Sequence, residues 1–262
     1  MAYTNSKLVS YKKLSPNHSG RRKHSIDRIS PHCVVGQCTA EGLGSWFARS
    51  STEASSNYGI DRDGRVGLYV EEKNRSWCTS SAANDNRAVT IECASDTREP
   101  YAMNSKVYNT LVKLCVDICK RNGKKKLIWF GDKSKALNYD PKTDEMVLTV
   151  HRWFANKSCP GNWLYSRLGK LASEVTKQLG GTGEKKTEKT SPKAKVPYKV
   201  EVTVSDLNIR KGPGTNYAKT GKYTGKGVFT ITEEKSGKGS DKGWGKLKSG
   251  AGWIALDYAK RI

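Results

Sequence analysis

No apolar run in this 262-residue chain approaches the ~18 consecutive residues that a membrane-spanning helix needs, so membrane insertion is not expected. The opening residues, Met1-Ala-Tyr-Thr-Asn-Ser-Lys7, have no apolar core behind their lysine and do not read as a secretory signal. The expectation is a protein made in the cytoplasm without a signal peptide. Cysteine is absent after residue 159, and the seven present, at 33, 38, 78, 93, 115, 119 and 159, are odd in number. Without a secretory signal, that count argues for a reducing site of synthesis and unpaired thiols rather than a disulfide framework. Cys115 and Cys119 stand four apart on one helical face with Leu111 and Ile118, which marks both for core packing.

Acidic residues are in short supply. Against 25 Asp and Glu stand 47 Lys and Arg, a net charge of +22, so the chain is attracted to something polyanionic. The excess is spread: from Gly180 onward there are 18 basic and 8 acidic residues, which leaves more than half of the net charge to the first 179. Neither part carries a helix-turn-helix, an RRM signature or paired CxxC motifs, so no specific nucleic-acid partner is expected. A bacterial wall, rich in carboxylates and often in phosphate polymers, is an equally good polyanion, and a charge serving solubility is a third reading.

Residues 182–197 hold almost nothing apolar, and Gly180-Gly181 before them suits a helix cap, so this stretch reads as a solvated linker. It divides the chain into a domain over 1–181 and a second over 198–262. In the first, the patterns predict a strand near Ile29–Val35, a short helix near 45–50, and a hairpin turning at Asp61-Arg-Asp-Gly64. They also predict a strand over Ala88–Ala94, a helix over Ser105–Arg121, a short strand over Leu127–Phe130 and one helix over Gly161–Leu179. The Asp-x-Asp-Gly string lacks the remaining ligands of a calcium loop and is read as a turn. Strands interleaved with helices give an α/β domain, a mixed central sheet flanked by helices. Residues 198–262 show no helical period and many glycine-rich turns, the pattern of a small all-β barrel or sandwich.

The segment His151-Arg-Trp-Phe-Ala-Asn-Lys157-Ser-Cys159-Pro-Gly161 places an imidazole, a cation and a thiol within eleven residues. With His32 it offers three candidate zinc ligands. Zinc accepts both histidine nitrogen and cysteine sulfur, and a catalytic site uses three protein ligands with one position left open. The seven residues between His151 and Cys159 are too many for adjacent turns of one helix, but they fit two returning loops. His32 and Cys33, neighbours on a strand, must point to opposite faces, so only one can face a site.

These residues resemble the zinc-dependent N-acetylmuramoyl-L-alanine amidases of the type-2 amidase and peptidoglycan-recognition-protein superfamily. The resemblance is carried by Ile29-Ser-Pro-His32-Cys, Ser56-Asn-Tyr58-Gly-Ile-Asp-Arg-Asp-Gly64, Arg75-Ser-Trp77-Cys-Thr-Ser-Ser81 with Asn84-Asp-Asn86, Val89-Thr-Ile-Glu92, and the 151–161 segment, in order. It implies that His32, His151 and Cys159 hold Zn²⁺ and that Glu92 is the general base, the alternative for Glu92 being an ion pair with an arginine. It further implies that Lys157 faces the substrate carbonyl and stabilises its oxyanion, with Tyr58 near the site to donate to the same oxyanion or to position the water. Cys78 departs from the pattern, where a histidine often follows the tryptophan of this loop. Lining the groove and packing beneath it both remain open for it.

The second domain resembles a bacterial SH3 (SH3b) wall-binding domain, through Leu207-Asn-Ile-Arg210-Lys-Gly-Pro-Gly-Thr-Asn-Tyr217 and through Gly243-Trp244-Gly-Lys-Leu247 with Gly252-Trp253-Ile254. The pair looks like a phage endolysin or a bacterial autolysin, whose substrate is peptidoglycan, of Gram-positive type, with anionic wall polymers as further partners and the wall as the place of action after release. Arg210, Tyr217, Tyr223, Trp244, Trp253 and Tyr258 are the candidate wall-binding residues, and in so small a barrel at least half of the aromatics should be core. Two other functions stand beside the amidase: a peptidoglycan-binding protein without activity, and a zinc peptidase cutting within the stem peptide. Members without activity typically lose the cysteine ligand, and Cys159 is present.

Overall fold

The computed structural model describes residues 3–180, 196–237, 239–240 and 242–262. Two compact units, Met1–Lys186 and Thr187–Ile262, divide within 181–195, where most of the expected linker lies outside the described residues. Among the described residues, no helix is long and apolar enough to cross a membrane.

The first unit is built on nine strands: β1 (Val9–Lys12), β2 (His18–Arg21), β3 (Arg28–Cys33), β4 (Tyr58–Ile60), β5 (Val66–Leu68), β6 (Asn74–Ser76), β7 (Ala88–Cys93), β8 (Lys126–Ile128) and β9 (Glu145–Leu148). Seven form one mixed sheet in the order β1-β5-β4-β7-β3-β9-β8, and β2 with β6 forms a separate ribbon. The hairpin β4–β5 is the antiparallel pair of the large sheet and turns at Asp61–Gly64, where Asp61 Oδ1 accepts from the amides of Asp63 and Arg65. The Asp-x-Asp-Gly string is thus a turn, as its sequence reads. Six helices, α1 (Ala40–Phe47), α2 (Ala82–Arg87), α3 (Ser105–Arg121), α4 (Lys133–Asn138), α5 (Gly161–Tyr165) and α6 (Leu168–Gln178), complete the unit.

Alternation along β3 and β7 makes the sheet two-sided. Ile29, Cys33, Val89, Ile91 and Cys93 fall on one face and join a core with Val107, Leu111, Leu114, Cys115 and Ile118 of α3 and Leu168, Leu171 and Val175 of α6. Arg28, Ser30 and His32 fall on the other face, with Thr90 and Glu92 beside them. The pairing is parallel and unshifted from Arg28↔Ala88 to His32↔Glu92 and Cys33↔Cys93. α1 and α2 lie on this second face. α1 approaches through Gly59, where an added Cβ would come within 2.6 Å of Tyr69 and 2.7 Å of Leu43.

Pro31 stands in a central strand without an N–H to give. Ile29 accepts from Thr149 on the β9 side, and the next donor on that side would be residue 31. The β3–β9 pairs stop at Ile29↔Leu148, so the chain beyond β9 is released from the sheet just before His151. A site then opens at the carboxyl ends of the parallel strands, the usual place for one in such sheets.

Several elements differ from expectation: the strand expected over Leu127–Phe130 runs over Lys126–Ile128, and that expected over Ala88–Ala94 ends at Cys93. The short helix starts at Ala40, because Thr39 caps it by accepting from the Gly42 amide at 3.0 Å, with Glu41 in the first turn. The strand near Ile29 begins at Arg28 and ends at Cys33. The single helix expected over 161–179 is two, since Arg167 Nη1 takes the Trp163 carbonyl at 2.9 Å and its guanidinium lies over the Trp163 ring.

The second unit is a seven-stranded antiparallel sheet: β10 (Tyr198–Val202), β11 (Asn208–Arg210), β12 (Lys219–Tyr223), β13 (Gly227–Lys235), β14 (Trp244–Leu247), β15 (Trp253–Ala255) and β16 (Ala259–Arg261), in the order β12-β11-β15-β14-β13-β10-β16. Its core gathers Val200, Val202, Ile209, Ile231, Leu247, Ile254 and Leu256.

Ile91 is fully buried between its neighbours in the sheet and α3. Ile91→Ala is expected to cost about 2–5 kcal/mol, the usual range for emptying such a position, read as a lowered urea midpoint at unchanged slope.

Candidate active site

His32, at the end of β3, is 1% exposed, and the in-register pairing sets Glu92 beside it on the same face. His32 Nδ1 lies 3.2 Å from Cys159 Sγ and 3.8 Å from Glu92 Oε1. The His151 ring centres 5.1 Å from that of His32. Ligand atoms of His32, His151 and Cys159 all fall within 4.8 Å of one another, and so do those of a second group, His32, Cys78 and Glu92. Two segments far apart in sequence reach His32 because the chain after β9 curls through a 3-10 turn at His151–Trp153 and comes back along 157–161.

Arg152 holds that return in place. Its backbone amide donates to the Cys159 carbonyl at 3.1 Å, and its guanidinium donates to the carbonyls of Ser158 and Cys159 and to Asn162 Oδ1 while lying 4.6 Å from the Tyr165 ring. Nothing in its sequence context singled Arg152 out beyond its charge. Ser80 was not singled out either, and its Oγ stands 3.0 Å from His151 Nε2. Cys78 is half-buried beside Glu92, with Sγ 3.8 Å from Glu92 Oε1.

The electrostatics favour neutral imidazoles. Burial, and then the nearby His151, push His32 down to about 3, while burial and the Lys157 charge push His151 down as well. Neutral histidine is the ligand form. Burial pushes Glu92 up to about 7, partly offset by its hydrogen bond with Cys78. The Cys159 thiol is pushed up, first by hydrogen bonding with Cys33, then by burial and by Glu92, so a metal would have to displace its proton. Glu92 Oε2 is buried with no hydrogen-bond partner, which the water of a bound ion would relieve, and His32 Nε2, the ring nitrogen other than the one beside Cys159, is unpartnered as well. The donor set therefore fits a metal.

Lys157 is exposed on the return loop, close enough to His151 to depress it. Tyr58 is a correction. It pairs with Ile91, not Glu92, so its side chain points to the α3 face, where its hydroxyl donates to Glu72 Oε1 at 2.7 Å and accepts from the Ser6 amide at 2.8 Å. Glu72 is in turn held by Arg121 of α3. Tyr58 is a buried structural residue and cannot reach an oxyanion on the opposite face.

In the second unit, Tyr217, Tyr223 and Tyr258 are exposed, while Trp244 and Trp253 are buried. Trp253 is thereby corrected to a core residue, packed with Trp244 and Ala255. Trp244 is also core, yet it lines a cavity of about 330 Å³ with Arg210, Asp206 and Tyr258. Arg210 donates to the Tyr217 carbonyl at 2.8 Å, with its guanidinium 5.9 Å from the Trp244 ring.

Two imidazoles and a cysteine gathered around a carboxylate, in a cleft at the carboxyl ends of a mixed sheet, make a site that could hold a metal ion and serve a hydrolase. The sequence of residues 18–162, more than half of the chain, matches the family model of N-acetylmuramoyl-L-alanine amidase, and the chain belongs to that family. Members hydrolyse the amide joining N-acetylmuramic acid to the L-alanine of the peptidoglycan stem peptide, and this chain is such an amidase. No curated protein sequence matches it. Among solved structures, an AmpD derivative is similar at 17% identity and a TM-score of 0.46, covering 66% of this chain and 99% of its own. The Staphylococcus aureus hydrolase AmiA is similar at 12% and 0.44, covering 69% and 96%, and the Clostridium intestinale endolysin LysCS at 13% and 0.39, covering 69% and 95%. The assignment rests on the sequence match.

The burial of Tyr58 separates a structural from a catalytic role. Tyr58→Phe should cost about 1–3 kcal/mol by leaving the Ser6 amide and the Glu72 carboxylate short of a partner, and should leave wall hydrolysis per folded molecule unchanged. Urea unfolding beside a turbidity assay checks both.

Proposed function

We propose that the amidase is zinc-dependent, with His32, His151 and Cys159 as ligands, and that it lyses peptidoglycan of Gram-positive type. The observation that carries this reading is the approach of Cys159 to His32 at 3.2 Å beside Glu92. Of the two donor groups, the one with two imidazoles and a sulfur suits zinc and leaves the carboxylate free for proton transfer. When bound, zinc supplies a Lewis acid for the amide carbonyl and lowers the pKa of water. Glu92 takes the proton of the attacking water and delivers it to the leaving amine of L-alanine. Lys157 presents positive charge to the carbonyl oxygen as it becomes anionic.

The presence of Cys159 within reach of His32 favours an enzyme over a binding protein without activity. The second unit is proposed to act as an SH3b-type wall-binding domain, through exposed Tyr217, Tyr223 and Tyr258 and through the cavity lined by Arg210 and Trp244. Tethering raises the local substrate concentration without any new catalytic contact, and the basic charge extends the attraction to anionic wall polymers. Release from the host and action on its wall from within belong to the same proposal.

Cys159→Ser is expected to lose both bound zinc and activity, whereas Glu92→Gln should keep its zinc and lose activity about 10²–10⁴-fold. Metal analysis and labelling of new amino groups on digested walls check this. New L-alanine amines identify the amidase cut, and new amines inside the stem identify a peptidase. For the second unit, Tyr217→Ala with Tyr223→Ala should weaken sedimentation with walls about tenfold while leaving hydrolysis of soluble muropeptides unchanged.

A further inference from the structure

Arg28 shares a strand face with His32 and lies four residues nearer the start of β3, about 13 Å away at strand spacing. It lines a cavity of about 480 Å³ together with Ser80, Asn84, Lys133, Trp153 and Phe154, and no Asp or Glu lines that cavity. Arg28 is only 5% exposed, its Nη1 donates to Asn84 Oδ1 at 3.2 Å, and its Nε has no hydrogen-bond partner. A buried guanidinium short of a partner is costly. Nor does it receive the neighbouring Asp27 carboxylate, which Arg87 grips through both Nε and Nη2. Arg87, engaged with Asp27, and Lys133, exposed at the start of α4, are the further cations of the lining, and Lys133 forms no ion pair among the described residues. The cavity adjoins the reaction centre, because Ser80, which lines it, stands 3.0 Å from His151 Nε2.

We propose that this cavity receives a carboxylate of the stem peptide, and so fixes the direction of the substrate: peptide toward the start of β3, glycan away from it. The inference rests on the reading that the scissile amide lies at His32 and Glu92. Of the two halves of the substrate, the glycan has spent its lactyl carboxyl in the amide and is uncharged there, while the stem peptide keeps its carboxylates. An extended peptide advances about 3.3–3.6 Å per residue, so about 13 Å corresponds to the third or fourth stem residue. Trp153 and Phe154 flank the path with apolar surface for the side chains between.

The test measures binding to the full-length, zinc-loaded protein of a product-like tripeptide, L-Ala-γ-D-Glu-L-Lys, which has no scissile bond. Its free-acid form is compared with its fully amidated form, and glycerol phosphate serves as a control anion. The free acid should bind about tenfold more tightly than the amide. Lys133→Ala, at an exposed position, should reduce that preference, and Arg28→Met, checked for folding by circular dichroism, should abolish it. Equal binding of the two forms overturns the proposal, as does a preference that survives both substitutions. Glycerol phosphate binding as tightly as the free acid, with the same dependence on Arg28, overturns it in favour of a phosphate-polymer site. Walls digested in parallel separate the two readings. New L-alanine amines without any carboxylate preference leave the amidase standing and sink the orientation. A preference without L-alanine amines removes the scissile amide from His32 and sinks the orientation too.

Discussion

The unshifted parallel pairing of β3 with β7 is the constraint on which the rest depends. It sets His32 beside Glu92, and through strand alternation it turns Ile29, Cys33, Val89, Ile91 and Cys93 to the opposite side. Of these, Ile29, Val89 and Ile91 each contribute on the order of 1.5–3 kcal/mol when fully buried in this core. A slip of one residue would exchange the faces, burying His32 in the apolar core and exposing apolar side chains in the cleft. The apolar face thus stabilises the same register that the chemistry needs.

Beyond that pair, the proposed catalytic set is assembled by a break in regularity. Pro31 cannot donate on the β9 side, the β3–β9 ladder stops, and the chain leaves the sheet to form the turn that carries His151 and returns with Cys159. Arg152 then ties the return loop to its own start through the Ser158 and Cys159 carbonyls. The regular sheet fixes His32 and Glu92, and side-chain hydrogen bonding of irregular backbone fixes the other two. Substitution of Arg152 would disturb Cys159 without touching any ligand atom.

What could be read from the sequence follows the same division. Ser105–Arg121 was legible because seventeen residues at helical period leave little choice, and Ala88–Cys93 because it alternates. His32, Glu92, His151 and Cys159 were legible as residue types that suit zinc and proton transfer, in segments that resemble a family. Tyr58 was misplaced for a physical reason: the resemblance puts it near the site in sequence, but the face it takes is decided by its register with Ile91, which lies in another strand. The helix break at 166–167 was invisible because the leucine spacing continues across it, and only the Arg167 contact with Trp163 shows where the backbone stops. Trp253 was named for wall binding as an aromatic in a binding module, yet a small sheet has few large side chains with which to fill its own core.

The polar face of the first unit also shows where satisfaction was given up. Ser30, Thr149, Asn84, Thr79 and Asp85 form a buried chain in which hydroxyl meets hydroxyl at 2.6 Å and amide meets hydroxyl at 3.0–3.3 Å, and Asp85 is closed by the Cys78 and Thr79 amides. A network so complete rigidifies the floor of the cleft. Among the described residues, four buried side-chain atoms lack a partner, and three of them, on Arg28, His32 and Glu92, lie on this one face. Leaving such atoms open costs stability, and a sheet that satisfies the polar groups between them could have satisfied these as well. Their placement at the two ends of a tightly bonded floor matches the proposal of a substrate carboxylate at one end and an ion with its water at the other.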